Sequence, residues 1–192
     1  MKGLKNIKPK NFIVFIILIG IIFSLYFYMN NNKSDKVKAN TEAEKLLAMD
    51  LETKYPATPT GVVKLYSRIS KCLYNDKWDN DEVNALIDMM RKLFATELLE
   101  ENPKGKHNKN FKSEIADYKE NKRTIMTYKI DGSNQVKKQK KDGVAYATLN
   151  SVYSTAESKD YYKIYQNFML KKEGKQWKIL GWKSIPEIEI NE

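Results

Sequence analysis

The stretch YYKIYQNFMLK at residues 161–171 decides the fold, because its apolar side chains recur at every second position. A period of two is typical of a β-strand with one buried face. One face is predicted to carry Tyr162, Ile164, Phe168 and Leu170, and the other Tyr161, Lys163, Tyr165 and Lys171. The chain around this stretch is therefore expected to form a sheet.

A turn and a further strand follow directly. Glu173-Gly174-Lys175 supplies the turn, and Gln176–Ser184 supplies the strand. Strict alternation along that strand predicts that Trp177 and Ile179 point opposite to Leu180 and Trp182.

Three more strands are predicted upstream, where the period of two begins after Lys122. They are Ile125–Ile130, Val136–Lys140 and Val144–Tyr153. Lys141-Asp142-Gly143 contains an Asp-Gly pair, which is typical of a tight hairpin turn. The strands therefore follow one another as an antiparallel meander.

The chain before these strands has a helical period instead. Four helices are predicted: one from Thr41, one from Pro59 with Thr58 as its N-cap, one capped by Asp79 or Asn80 and running through Phe94 to Leu98, and one carrying Phe111, Ile115 and Tyr118. Helices followed by strands indicate an α+β fold, with three to four helices covering one face of a curved sheet of four to five strands.

A different kind of segment lies near the N-terminus. Residues 12–29, FIVFIILIGIIFSLYFYM, hold no charge and would reach about 27 Å as a helix, close to the thickness of a bilayer core. This favours a transmembrane helix over a buried core helix. A cleaved signal peptide is the stronger rival, but its apolar core is usually shorter.

Lysines on both sides of this segment predict its orientation. Lys2, Lys5, Lys8 and Lys10 precede it without an acid, whereas Lys33, Lys36 and Lys38 follow it with Asp35. The positive-inside rule therefore places residues 1–11 in the cytoplasm. Residues 30–40 are predicted to be a tether, and residues 41–192 an extracytoplasmic domain at the cell membrane.

Charge and cysteine content limit the classes of function. The formal net charge is +10, but residues 1–39 supply +6 of it. The high pI is thus partly a property of the anchor, and no nucleic-acid partner is expected. A single cysteine, Cys72, excludes an internal disulfide, and its place on an apolar helical stripe indicates a core residue.

Few residues suggest catalysis or metal binding. His107 is the only histidine and lies in a basic segment, Lys104-Gly-Lys-His-Asn-Lys109, which reads as a loop. We therefore predict no catalytic residues, no metal site, no cofactor and no enzymatic activity. The lysine-rich run Lys137–Lys141 either protects a sheet edge or contacts an anionic lipid, a teichoic-acid-like polymer or nucleic acid.

The end of the chain, Phe168-Met-Leu170-Lys-Lys-Glu-Gly174-Lys-Gln-Trp177-Lys-Ile179-Leu-Gly181-Trp182, resembles the last hairpin of nuclear-transport-factor-2-like (NTF2-like) domains. The resemblance covers about residues 41–184 and implies a cone-shaped α+β fold with an interior pocket. Enzymes of that family place acids, histidines or tyrosines on inward strand positions. Four tyrosines are candidates for such positions here: Tyr128, Tyr146, Tyr162 and Tyr165. Together with Trp177 and Trp182 they are the candidate pocket or interface residues.

The whole chain also resembles an uncharacterised clostridial family of single-span membrane-anchored proteins. The supporting segments are Asp50-Leu-Glu-Thr-Lys-Tyr55-Pro56-Ala-Thr58-Pro59, Tyr66-Ser-Arg68-Ile69, Leu73-Tyr74-Asn75 and Glu97-Leu-Leu-Glu-Glu-Asn102-Pro103. In architecture the chain is similar to the inner-membrane assembly factor of type IV secretion and conjugation systems.

Two functions are expected from this organisation. The first is a non-catalytic binding or assembly module that holds a protein partner or a second copy of itself, as in a secretion or conjugation complex. The alternative is a sensor or carrier that takes a small ligand in the cone pocket. Membrane lipid is a partner through residues 12–29 in either case.

Overall fold

The computed structural model describes residues 41–187, which form five helices and five strands. The helices are α1 (Glu42–Leu47), α2 (Pro59–Asn75), α3 (Asn80–Arg91), α4 (Thr96–Glu101) and α5 (Lys104–Glu120). The strands are β1 (Arg123–Ile130), β2 (Lys137–Lys141), β3 (Val144–Glu157), β4 (Asp160–Glu173) and β5 (Gln176–Ile185). All helices precede all strands, so the predicted α+β order is confirmed.

The predicted tail at residues 1–11, the transmembrane helix at 12–29 and the tether at 30–40 lie outside the described residues. None of the helices between residues 41 and 187 is both long enough and apolar enough to cross a membrane.

The two helix starts predicted from capping residues are confirmed. Thr58 precedes α2, and its hydroxyl accepts a hydrogen bond of 3.1 Å from the Gly61 N–H. Asp79 precedes α3 and forms a capping box with Glu82: the Asp79 carboxylate accepts from the Glu82 N–H at 2.9 Å, and Glu82 accepts from the Asp79 N–H at 3.1 Å. Both caps satisfy backbone donors that a helix start leaves without partners.

The sheet is open and antiparallel, as predicted, but the meander holds only from β2 to β5, because β1 pairs with β3 rather than with β2. β1 and β2 lie one after the other along the same edge of β3, where Tyr128 pairs with Tyr153 and Gln139 with Tyr146. β4 lies along the other edge of β3, and β5 pairs with β4. Asp142 and Gly143 both have positive φ, 50° and 80°, which is the conformation expected of the Asp-Gly turn between β2 and β3.

A single helix through Leu98 was the wrong prediction, because the chain leaves the helix after Arg91 and starts α4 at Thr96. The intervening residues pair with β5. The Ala95 N–H donates to the Ile179 carbonyl at 2.8 Å, and the Ile179 N–H donates to the Leu93 carbonyl at 2.7 Å. These two bonds satisfy part of an otherwise unpaired sheet edge, a gain that helical periodicity does not reveal.

The predicted alternation along β5 is also wrong after Ile179. Leu170 pairs with Ile179, but the preceding Met169 pairs with Gly181, so Leu180 is an extra residue that forms a bulge. A bulge of one residue reverses the facing of everything that follows it. Trp182 therefore lies on the same face as Trp177 and Ile179, and its ring stacks on Phe168 at 5.8 Å.

Helix α2 lies at the centre of the core and packs on β1, β3 and β5 as well as on neighbouring helices. Its buried residues include Val62, Ile69 and Leu73, each fully inaccessible to solvent. They meet Leu149, Phe168, Leu170 and Ile179 from the helix-facing side of the sheet. Truncation of such a side chain to alanine typically costs about 2–5 kcal/mol of stability.

Candidate binding cavity

A cavity of about 270 Å³ lies between the helices and the sheet. Its walls come from α2, α4 and α5, from Phe94 between the helices, and from β1, β3, β4 and β5. The lining residues are Tyr66, Ser70, Tyr74, Phe94, Leu98, Asn102, His107, Asn110, Phe111, Glu114, Tyr118, Ile125, Tyr153, Ile164, Gln166 and Trp182. The cavity is thus largely aromatic with a smaller set of polar groups, a lining typical of small-molecule sites.

An unbroken run of ring contacts borders the cavity. The ring centroids of Trp182 and Phe94 are 5.9 Å apart, and Phe94 lies 5.7 Å from His107. His107 lies 5.6 Å from Phe111, which lies 5.6 Å from Tyr74. Tyr74 stacks on Tyr118 at 4.2 Å. We refer to these rings as the aromatic belt: Trp182, Phe94, His107, Phe111, Tyr74 and Tyr118.

Helical spacing explains how two helices contribute so many lining residues. On α5, His107, Phe111, Glu114 and Tyr118 stand at i, i+4, i+7 and i+11, so they share one face. On α2, Tyr66, Ser70 and Tyr74 stand at i, i+4 and i+8. Each lining face is therefore a continuation of the stripe that buries the helix in the core.

Glu114 is the acidic group of the cavity. Its side chain is accessible to solvent, yet the surrounding walls displace enough water to raise the pKa of the carboxyl above its usual value. A hydrogen bond from the Tyr74 hydroxyl is the next influence and lowers this pKa, and the nearby charges are weaker still: Asp117 raises it and Arg123 lowers it. Glu114 is therefore easier to protonate than an ordinary surface glutamate.

His107 is held in the neutral form by its surroundings. Burial lowers the pKa of the imidazole, and the nearby positive charge of Arg91 lowers it further. The prediction of a basic loop at Lys104–Lys109 is wrong, because these residues form the first turns of α5. Helical structure places the ring of His107 between Phe94 and Phe111 rather than in open solvent.

Two polar atoms of the cavity-lining residues lack hydrogen bonds within residues 41–187. They are Nδ1 of His107 and Oε1 of Gln166, and both are buried. Gln166 lies on β4 beside Ser151, whose hydroxyl is also buried without a partner in this part of the chain. Unsatisfied buried polar groups are uncommon in folded proteins, and bound water or a ligand frequently satisfies them.

Tyr153, a buried tyrosine of the wall, has an internal hydrogen-bond partner. The hydroxyl of Tyr153 lies 2.6 Å from the hydroxyl of Ser67, and burial raises the Tyr153 pKa to about 12. Tyr153 therefore stays a neutral phenol and links β3 to α2.

The two candidate tryptophans have different surroundings. Trp182 lines the cavity and is 37% exposed, so it lies at the cavity mouth. Trp177 is buried, and its backbone carbonyl accepts a 2.8 Å hydrogen bond from the Tyr55 hydroxyl. Trp177 is not among the cavity-lining residues and packs in the core.

None of the four candidate tyrosines lines this cavity. Tyr128 and Tyr162 do face the helices, since they pair with the core residues Tyr153 and Thr155. Tyr128 borders a separate hollow near Arg68 and Cys72, and the Tyr162 hydroxyl donates to the Glu157 carboxylate at 3.0 Å.

The inward placement that the family resemblance implied for Tyr146 and Tyr165 is wrong, and for Tyr165 the structure has the opposite face that strand alternation predicted. They pair with Lys171 and Val152 and lie on the sheet face away from the helices. The Tyr165 hydroxyl there donates to Glu187 at 2.6 Å.

Neither Cys72 nor the lysine-rich run lines the cavity. Cys72 is buried on α2, as predicted, and burial raises its thiol pKa to about 12. Lys137–Lys141 form β2 with all five residues exposed. Within residues 41–187, no group of three or more histidine, cysteine or acidic side chains is arranged to hold a metal ion.

Fold and cavity together define an α+β domain with an aromatic, partly polar cavity between its helices and its sheet. The chain belongs to the family described as domain of unknown function DUF6715, whose family model matches residues 1–182. No curated protein sequence matches the chain.

One solved structure is similar at a low level: the crystal structure of the intermembrane space region of the chloroplast protein ARC6. It is 14% identical, with a TM-score of 0.36, and the match covers 72% of this chain and 98% of that chain. The α+β fold follows from this chain's own helices and strand pairing.

Proposed function

We propose that this protein is a membrane-anchored, non-catalytic binding module that takes a small organic ligand in the cavity. In this proposal the domain is an NTF2-like cone with a curved sheet, and the cavity is the interior of the cone. Residues 12–29 anchor the domain in the cell membrane of a bacterial cell, and residues 41–192 lie outside the cytoplasm. No cofactor and no nucleic acid takes part.

The observation that supports ligand binding is the composition of the cavity wall. Rings from the aromatic belt provide apolar contact area, while Ser70, Asn110, Glu114 and Gln166 bring polar groups to the same space. Small-molecule sites usually have a mostly apolar lining with a few polar groups, and those polar groups orient the ligand. The separate hollow beside Arg68 and Tyr128 has a mostly polar and charged lining with a single aromatic ring, so the aromatic wall distinguishes the cavity from that hollow.

Binding is favoured over catalysis because of the groups that surround the cavity. The thiol of Cys72 is buried away from it, and burial keeps that thiol protonated. The buried tyrosines are likewise held as neutral phenols. These residues suit recognition of a ligand better than nucleophilic attack on one.

The test is a small-molecule binding screen on the full chain in detergent, read by ligand-observed NMR. Asn110 is exposed at the cavity, so an Asn110→Trp variant should fold and block it. Lys109→Trp, the exposed neighbour that does not line the cavity, is the matched control. We expect any hit to bind about tenfold more weakly to Asn110→Trp, and unchanged to Lys109→Trp. Equal binding to both variants, or no hit at all, would contradict the proposal.

A protein partner, self-association or a place in a secretion or conjugation complex stays a prediction beside this proposal. Cross-linking in the native membrane followed by recovery of the chain tests it. Failure to recover any reproducible partner would count against it.

A further inference from the structure

The cavity has an unequal balance of charge. Among the lining residues between positions 41 and 187, Glu114 is the single side chain with a formal charge, since burial keeps His107 neutral. The wall is thus net negative. A ligand that enters it meets one carboxylate and no lining lysine or arginine.

The arginines nearest to the cavity are engaged elsewhere. Arg123 donates to both Glu157 oxygens, at 2.9 Å and 3.2 Å, and to Asp117 at 3.1 Å. Arg91 donates to the Asn102 carbonyl at 2.9 Å. Neither arginine lines the cavity, so neither offers its guanidinium to a ligand there.

The aromatic belt, like Glu114, attracts cations. The faces of tyrosine, phenylalanine and tryptophan rings carry negative potential and attract cations within about 6 Å. The fold already uses this contact once beside the cavity, where the Arg123 guanidinium lies 4.8 Å from the Tyr118 ring centre. An organic cation could contact several rings and Glu114 at the same time.

We propose that the ligand of this cavity is a small organic cation: an ammonium group beside Glu114 with an apolar body against the aromatic belt. This inference rests on the proposed function and names the chemical class of its ligand. Glu114 supplies the countercharge, and the rings supply contact area that tolerates a poorly hydrated cation. A neutral ligand of the same shape would gain only the contact area, and an anion would be repelled.

Three probes of nearly the same shape separate these cases: choline, the neutral 3,3-dimethylbutan-1-ol and the anionic 3,3-dimethylbutanoate. Each is titrated into the full chain in detergent at neutral pH, with binding measured by ligand-observed NMR. We expect choline to bind about tenfold more tightly than the neutral probe. The anionic probe should be the weakest of the three.

A matched pair of variants assigns the effect to the carboxylate. Glu114→Gln keeps the shape and removes the charge, and we expect it to weaken choline binding about tenfold while leaving the neutral probe unchanged. Glu120→Gln is the control, because Glu120 is exposed on the same helix and does not line the cavity.

The outcomes distinguish this inference from the proposed function. Equal binding of choline and the neutral probe, or preference for the anion, overturns the cation while leaving small-ligand binding intact. Choline binding that survives Glu114→Gln unchanged also overturns it. If none of the probes binds, the inference fails, and the proposed function then stands or falls on the wider screen with Asn110→Trp.

Discussion

At the scale of single residues, the proposed role of Glu114 in ligand recognition opposes its effect on stability. The cavity walls raise its pKa, which means that the folded state holds the proton more tightly than the unfolded chain does. Ionisation of this carboxyl therefore disfavours the folded state. The unfavourable contribution is absent well below the unfolded pKa of about 4.3 and is complete above the raised folded pKa.

Glu114→Gln should consequently stabilise the ligand-free protein at neutral pH, because an amide in the same place carries no charge to be desolvated. The rise in Tm relative to the wild type should be largest at pH 7 and should shrink towards pH 4. Thermal unfolding followed by circular dichroism at both pH values measures it. A stabilisation that is the same at pH 4 and pH 7 would contradict this explanation, and Glu120→Gln serves as the control for a general charge effect.

At the scale of elements, the start of α3 depends on a reciprocal pair of side-chain bonds. Asp79 accepts from two backbone N–H groups, and Glu82 completes the capping box. Asp79→Ala should destabilise the domain by about 1 kcal/mol, since it leaves these helix-start donors without a side-chain acceptor. Urea unfolding measures the loss. Asn80→Ala, one residue further on, should change stability by less than about 0.5 kcal/mol, and an equal loss in both variants would argue against the cap.

The facing of Trp182 beyond the bulge at Leu180 is the element-scale feature on which the cavity depends. Deleting Leu180 alone should remove the bulge and still leave Trp182 facing the helices, because Leu180 is the extra residue. Deleting Leu180 and Gly181 together should turn Trp182 to the outer face of the sheet, away from Phe168 and Phe94. We expect the double deletion to cost roughly 3 kcal/mol, comparable with the removal of a packed tryptophan side chain.

The matched comparison is the deletion of Leu180 alone, which removes the extra residue but keeps the facing of Trp182. It should retain most of the stability in urea unfolding. A double deletion no more destabilising than the single deletion would show that the facing of Trp182 does not contribute to stability.

At the scale of the whole molecule, the sidedness of the proposed membrane anchor would decide the solution to which the cavity opens. The prediction rests on the lysines that flank residues 12–29, which favour a cytoplasmic N-terminus. In intact cells, a protease added outside should then remove a tag placed after Glu192. Western blotting of the tag follows the digestion, and a cytoplasmic protein carrying the same tag is the control. A tag that survives while the cells stay intact would place the domain on the cytoplasmic side.

Much of the element order could be read from the chain because it depends on local chemistry. Thr58, Asp79 and the pair Asp142-Gly143 act within a few residues of themselves, so their patterns identified two helix starts and one turn correctly. The alternation of YYKIYQNFMLK likewise identified β4 and its two faces. Spacing within one element is preserved whatever the rest of the chain does.

The cavity was not visible at that level, because its parts meet only through contacts distant in sequence. His107 and Glu114 share a helix face with Phe111 and Tyr118, and that spacing was the one available signal. It was missed because the surrounding lysines indicated a loop. The pairing of Leu93–Ala95 with β5 joins residues more than 80 positions apart, and the bulge at Leu180 depends on how β5 pairs with β4.

The sequence by itself therefore determined the α+β order, the helix caps, the hairpin turn and the burial of Cys72. Tertiary structure alone decided the facing of Trp182, the break between α3 and α4, and the position of Glu114 in the same cavity as the aromatic belt. The physical reason is that backbone preference and periodicity act over a few residues, whereas a cavity exists only where separate elements fail to fill the space between them.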